Sequence, residues 1–178
     1  MTKKIVAFGA SSSKNSINSK LAYFAANQIS KANVQPLDLN DFEMPIFSID
    51  RGMGLGIPSL AYDFKEHIKY SDGIIISFAE HNGAYSVAFK NIFDWISRIE
   101  KDIWFNRPMF LLATSPGKHG GKSVLDVAVN RFKRMNKNAI FSFSLPSFNI
   151  NFSENEGITD KTLSHLFNKQ LALFELSL

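Results

Sequence analysis

The chain has 178 residues, enough for one domain with a sizeable core, and its 45% hydrophobic and 20% charged content is ordinary for a globular protein. It has no cysteine, which excludes disulfides, thiolate metal sites and cysteine nucleophiles, and four scattered histidines argue against a dedicated metal centre. The formal net charge of +4 comes from dispersed lysines and arginines, so anionic ligands are mildly favoured over nucleic acid, and no apolar run has the length to span a bilayer.

The N-terminal run "KIVAFGA" at 4–10 reads as a first strand, and its apolar stretch is too short for a signal peptide; a cytoplasmic location is expected. Four further apolar runs follow: "VQPLDL" at 34–39, "GIIISFA" at 73–79, "PMFLLAT" at 108–114 and "AIFSFSL" at 139–145. All but the second are nearly continuous, as strands buried on both faces are. The second is interrupted by polar residues and reads as an edge strand. Helical spacing recurs between the runs, near 16–31, 59–70, 85–101, 120–135 and 160–176. This alternation predicts βαβ units: a single α/β domain over 1–178 with a doubly wound, five-stranded parallel sheet of flavodoxin-like order 2-1-3-4-5. The stretch 40–59, rich in proline and glycine, fits no regular element and reads equally as a surface insertion or a flap over a substrate site.

In such a sheet ligands bind beyond the carboxyl ends of the strands, where the strand order switches. That directs attention to three loops. The first, "FGASSSKNSINSKLA" at 8–22, holds Ser11, Ser13, Ser16, Ile17 and Asn18 with no acidic residue among them. A helix starting near Ser16 offers free N–H groups and a positive dipole end, and the hydroxyls add donors, so the stretch reads as a cradle for a phosphate dianion. Capping alone needs one such residue, and this loop spends several. Neither G-x-x-x-x-G-K-[ST] nor G-x-G-x-x-G is present. The second loop carries Ala79, Glu80, His81, Asn82 and Gly83, where Asn82-Gly83 signals a sharp turn. Glu80 beside His81 invites an acid–base reading, but no nucleophile or metal ligand stands at a recognisable spacing. The third, "ATSPGKHGGKSVLDVA" at 113–128, carries Ser115, Pro116, Gly117, Gly120 and Gly121, which let the backbone come close to a ligand, with Lys118 and His119 adding positive character. No residue in the chain is singled out as catalytic.

Several motifs carry a resemblance. "AEHNGAYSVAFKNIFDWISR" is similar to the P-E-Y-N-G…K-N-x-x-D-W segment of the NADPH-dependent FMN reductase family, "SSSKNSIN" to its G-S-x-R-x-x-S-x-N loop, and "TSPGKHGG" to its S-P-G-x-x-G-G loop. The resemblance implies an FMN held by its phosphate at Ser11, Ser13, Ser16, Ile17 and Asn18. The isoalloxazine would lie along Ala79, Glu80, His81, Asn82 and Gly83, and Ser115, Gly117 and Gly120 would complete the pocket. It implies hydride transfer from NADPH or NADH to the flavin. From there electrons would pass to a small-molecule acceptor: a quinone, an azo compound, a metal oxyanion or free flavin. It further implies a homodimer, with tetramers in some members. Three positions depart from the family pattern: Ser13 stands where the family has arginine, and Ala79 and His81 flank Glu80 where it has proline and tyrosine. The alternatives are a flavin-binding electron carrier or regulator without nicotinamide turnover, the carriers being typically acidic where this chain is basic, and a serine hydrolase, for which G-x-S-x-G is missing.

The helix after the second loop supports the dimer expectation. With Ala88 at zero, Ile92, Trp95 and Ile99 fall within about 40° on a helical wheel. Phe89, Phe93 and Ile96 widen the apolar arc to roughly 140°, more than one core-facing stripe needs. Surplus apolar surface of this kind is expected to meet a second copy.

Overall fold

The structure, a computed structural model, describes residues 2–178; Met1, the first residue of the expected domain, lies outside them. In chain order it comprises β1 (Lys3–Ala10), α1 (Ile17–Asn27), β2 (Ala32–Pro36), a 3₁₀ turn (Leu39–Phe42), α2 (Ile49–Leu55), α3 (Ser59–Lys69) and β3 (Gly73–Phe78). A hairpin of β4 (Glu80–His81) and β5 (Ala84–Tyr85) precedes α4 (Val87–Ile96), β6 (Met109–Thr114), α5 (Lys122–Phe132) and β7 (Ile140–Leu145). The chain closes with α6 (Phe148–Asn151), a second hairpin of β8 (Phe152–Ser153) and β9 (Gly157–Ile158), and α7 (Lys161–Ser177).

The five-stranded sheet has the order β2-β1-β3-β6-β7, all parallel, which is the expected 2-1-3-4-5. β1, β3 and β6 alternate residues between two cores, as the two-residue period of a strand requires. Val6, Phe8, Ile74, Ile76 and Leu111 face Phe64, Phe89, Ile92 and Phe132 from α3, α4 and α5. Ile5, Ala7, Ile75, Phe110 and Leu112 face Leu21, Ala25, Phe167 and Phe174 from α1 and α7. Gly9 is what lets α1 come so near β1: a Cβ there would lie 2.4 Å from the Ser19 amide nitrogen.

Three expectations are corrected. The second strand ends at Pro36, not at residue 39. Leu37 and Leu39 are buried, which lengthened the apolar signal, but Asp38 turns the chain by capping the 3₁₀ turn at Asn40 N–H. The stretch 40–59 is not wholly irregular: Ser48 Oγ accepts from Arg51 N–H and starts α2, a helix without one buried residue and interrupted by glycines. Its start is therefore set by a cap, with no apolar periodicity to reveal it. The surplus apolar arc of α4 is covered within the chain. Phe89, Phe93 and Ile96 are all buried, because the connection after α4 returns Trp104 to stack on Phe93 at 5.9 Å while α5 brings Phe132 to 5.6 Å. Lys65, itself buried, holds that connection through the Asp102 carbonyl at 3.0 Å and the Glu100 carboxylate at 2.8 Å.

Candidate functional site

At the carboxyl edge, the loops after β1, β3 and β6 enclose a cavity of about 220 Å³. Its walls are Ser11, Ser13, Asn15, Ser16, Ile17 and Asn18 from the first loop, Ala79, Glu80 and His81 from the second, and Thr114, Ser115 and Pro116 from the third. The three loops singled out in the sequence thus meet in one place. Among the described residues, no lysine or arginine lines the cavity.

The first loop is organised for donation. Ser16 is the N-cap of α1, its Oγ accepting from Ser19 N–H at 3.2 Å, and Ser11 Oγ accepts from Ser13 N–H at 3.1 Å. Each hydroxyl therefore spends a lone pair inward and keeps its hydrogen to donate. The N–H groups of Ile17 and Asn18 stand in the first turn of α1, where a helix supplies no acceptor. The positive end of the helix dipole adds to them. The capping and cradle readings of Ser16 are thus compatible.

Asn18, expected among the phosphate-binding residues, turns its side-chain amide into the protein. It is buried; its Oδ1 accepts from Ser77 Oγ at 2.7 Å and from Thr114 N–H at 3.1 Å, and its Nδ2 donates to Thr114 O at 3.2 Å.

Glu80 brings a carboxylate to the wall without aiming it at the cavity. Its Oε2 accepts from Val124 N–H at 3.0 Å, in the first turn of α5. The N-cap of that helix is Gly121, which has no side chain to do so. A carboxylate borrowed from the second loop thus caps the helix after the third, and the helix dipole offsets its charge. This geometry accounts for Glu80 without acid–base chemistry.

Four expected residues stand outside the cavity lining. Asn82 and Gly83, both with positive φ, make the turn between β4 and β5. Gly117 O accepts from Gly120 N–H at 3.2 Å and from Ser147 N–H at 2.9 Å, folding the third loop against the end of β7. Gly120 has φ +58°, and a Cβ there would lie 2.6 Å from Ser144 Oγ and 2.8 Å from Pro146 N, so the turn tolerates no side chain. Two lining residues went unnamed in the sequence: Asn15 sits inside the first loop quoted, and Thr114 reads as the last residue of a strand. Pro116, expected with the glycines to bring the third loop's backbone close to a ligand, does line the cavity.

Below the second loop, Tyr85 packs against Phe78 and Phe89 with ring centroids 5.6 and 5.2 Å away. Burial pushes its phenol up to about 12, against the lowering influence of Arg131. Its hydroxyl has no hydrogen-bond partner among the described residues.

The segment 44–47 is pinned by α4. Asn91 accepts from Phe47 N–H at 2.8 Å and donates to Met44 O at 2.9 Å, and Trp95 Nε1 donates to Pro45 O at 2.7 Å. A second cleft, of about 460 Å³, opens between this segment and α4, lined by Phe42, Met44, Ile46, Val87 and Ala88 and reaching Ser12 of the first loop.

The chain is 30% identical over 126 residues to a 2-hydroxy-1,4-benzoquinone reductase of a Burkholderia species, an alignment spanning 67% of this chain and 64% of that protein. It is 28% identical over 79 residues to a quinone reductase of Escherichia coli K12, spanning 44% of this chain and 42% of that one. The chain thus covers less than two thirds of the length of each. Among solved structures, a flavoenzyme NAD(P)H:(acceptor) oxidoreductase of Paracoccus denitrificans superposes with a TM-score of 0.76 at 20% identity, covering 99% of this chain and 97% of that one. An NADH:FMN oxidoreductase in its apo form gives 0.75 at 19%, covering 99% and 90%. At these identities the superpositions speak for the flavodoxin-like fold. The family model described as NADPH-dependent FMN reductase matches residues 3–148, from β1 through all three site loops and into α6, and the chain belongs to that family.

Proposed function

We propose that the protein is an FMN-dependent NAD(P)H oxidoreductase that delivers electrons to a small quinone. The observation that carries this reading is the cavity at the strand-order switch, with donors gathered on one wall and the nearest carboxylate turned away onto α5. A phosphate dianion only accepts hydrogen bonds, so this donor set fits it. Ser11, Ser13 and Ser16 would donate to the phosphate, joined by the N–H groups of Ile17 and Asn18. Ala79, Glu80 and His81 would line one side of the isoalloxazine and Ser115 the other, with Asn82, Gly83, Gly117 and Gly120 shaping those loops. Bound FMN would supply the redox chemistry, taking a hydride from the reduced nicotinamide and passing electrons on to the acceptor. The chain's own part is to bind, orient and shield. The quinone class is supported by the names of the relatives in Burkholderia and Escherichia coli. Azo compounds, metal oxyanions and free flavin remain further acceptors to assay.

A homodimer and a cytoplasmic location, where reduced nicotinamide nucleotides are at hand, belong to the same reading. The interface suggested from α4 is replaced by another. Ile46, Ile49, Met53, Leu55 and Val87 are exposed large apolar residues contributed by α2, the segment before it and the start of α4. A cluster of this kind marks a contact surface.

The test is a fluorescence titration with FMN and riboflavin, followed by anaerobic addition of NADPH or NADH. We expect one FMN per chain, much weaker riboflavin binding, and bleaching of the bound flavin by at least one nucleotide. Equal affinity for the two flavins defeats the phosphate cradle. Binding without bleaching leaves an electron carrier, and no flavin binding defeats the proposal outright.

A further inference from the structure

We propose that Asn18 is a positioning residue, which locks the loop after β1 to the ends of β3 and β6 and so sets the spacing of the three loops that receive the flavin. The proposal rests on the FMN reading of the cavity and assigns Asn18 a role different from that of a phosphate ligand.

The side chain of Asn18 is 4% exposed although it belongs to the first turn of a helix bordering the cavity. Both acceptor sites on Oδ1 are filled, by Ser77 Oγ at 2.7 Å and Thr114 N–H at 3.1 Å, while Nδ2 donates to Thr114 O at 3.2 Å. The orientation of the amide follows from these partners: reversing it would set an NH₂ group against the Thr114 N–H. Paired with both backbone groups of one residue, the amide acts as one more rung on β6, just past its last pairing with β3, contributed by a helix. Ser77 and Thr114 are almost wholly buried, so this anchor lies beneath the site. The link runs further: Thr114 Oγ1 donates to Leu145 O at 2.7 Å, joining α1, β3, β6 and β7 in one chain of short bonds.

The lock sits where the sheet's own ladder stops. β3 pairs with β1 only up to Phe78 opposite Ala10, and with β6 only up to Phe78 opposite Ala113. Beyond those rungs the loops diverge; backbone bonds fold the third loop against β7, while the side-chain bonds of Asn18 tie the first loop to the ends of β3 and β6. Among the described residues, the cavity lining contains no lysine or arginine that would tolerate a misplaced anion by long-range attraction. Binding there depends on several short, directional bonds being in place together, which makes preorganisation decisive.

The test uses Asn18→Ala and Ser77→Ala. Ser77 is fully buried and does not line the cavity, and its hydroxyl donates to Asn18. Affinities for FMN and riboflavin are measured by fluorescence titration, and exchange of the Thr114 amide is followed in the flavin-free protein. Asn18→Ala is expected to weaken both flavins by the same factor, on the order of tenfold, the lower end of what is lost when groups that orient binding residues are removed. Ser77→Ala should weaken both in the same ratio to each other, and the double variant should lose less than the product of the single losses. Thr114 exchange should accelerate in both variants. Weakening of FMN alone, with riboflavin unchanged, would make Asn18 a direct phosphate ligand and overturn the proposal. Unchanged affinities with a lowered Tm would reduce it to a core contact and also overturn it. If Asn18→Ala does not fold, Ser77→Ala carries the same comparison. If the wild-type protein binds no flavin, the functional reading falls, and the exchange experiment still decides whether Asn18 holds the third loop.

Discussion

Tyr85 shows what a single side chain can cost. Its ring is well packed, but its hydroxyl is buried without a partner, an arrangement that forfeits on the order of 1–3 kcal/mol of hydrogen bonding to water. Replacing the hydroxyl by hydrogen removes the debt and keeps the ring. Tyr85→Phe is therefore expected to unfold at a higher temperature than wild type, and a lower Tm would show that the hydroxyl is satisfied in solution. Its titration provides a second check. The phenol is raised from 10.0 to about 12 in the folded chain. The unfolded state therefore loses this proton first as pH rises. The stability due to Tyr85 is fully present below pH 10 and is lost progressively between about 10 and 12. Urea denaturation across that window should fall less steeply with pH in Tyr85→Phe than in wild type.

At the scale of elements, two helices depend on residues far from them in sequence. α5 has at its N-cap Gly121, which has no side chain to accept a hydrogen bond, and the helix relies on Glu80 from the loop after β3. Glu80→Ala removes that acceptor and should destabilise the protein by about 1 kcal/mol, the usual cost of losing a cap. It should also free the third loop, read as faster amide exchange at Val124. Glu80→Gln keeps an acceptor oxygen and should retain part of the loss. α4 is the other case. Phe93 packs against both Trp104 and Phe132, so Phe93→Ala should cost about 3–5 kcal/mol as a core cavity and leave the oligomeric state unchanged. A change of mass in sedimentation, with little loss of stability, would restore the interface reading of this helix. Wheel geometry identified its apolar arc correctly. What it lacked was the path of the chain after Ile96, which folds back and covers two sides of the helix where one was anticipated.

At the scale of the whole molecule, the exposed apolar cluster beside α2 is the surface most in need of a partner. Leu55 and Met53 are 82% and 76% exposed and touch the core little, so Met53→Glu with Leu55→Glu should convert a dimer to a monomer without lowering the Tm of the subunit. Sedimentation equilibrium at micromolar concentration reads this directly. A wild-type species of 20.0 kDa would remove the dimer. With one flavin cavity per chain, nicotinamide and acceptor should use it in turn, giving parallel double-reciprocal lines; intersecting lines would indicate a ternary complex.

Strand order, the two-sided core and the meeting of three loops were legible in the sequence because each depends on a local pattern. Continuous apolar runs mark doubly buried strands, and serine, asparagine and glycine at strand ends mark the loops between them. Family membership was legible for the same reason, since the motifs lie within those loops. The tertiary structure decided what each polar residue does once the loops are together. Asn18 and Glu80 both looked like ligands in one dimension. In three dimensions their hydrogen bonds go to Thr114 and Val124, partners 96 and 44 positions away. α2, with no buried residue, was invisible to periodicity, while Phe89 and Phe93 were plain to it and yet assigned to the wrong neighbour. Periodicity reports that a side chain must leave water. Which surface receives it depends on where the rest of the chain returns, and that is a property of the packed whole.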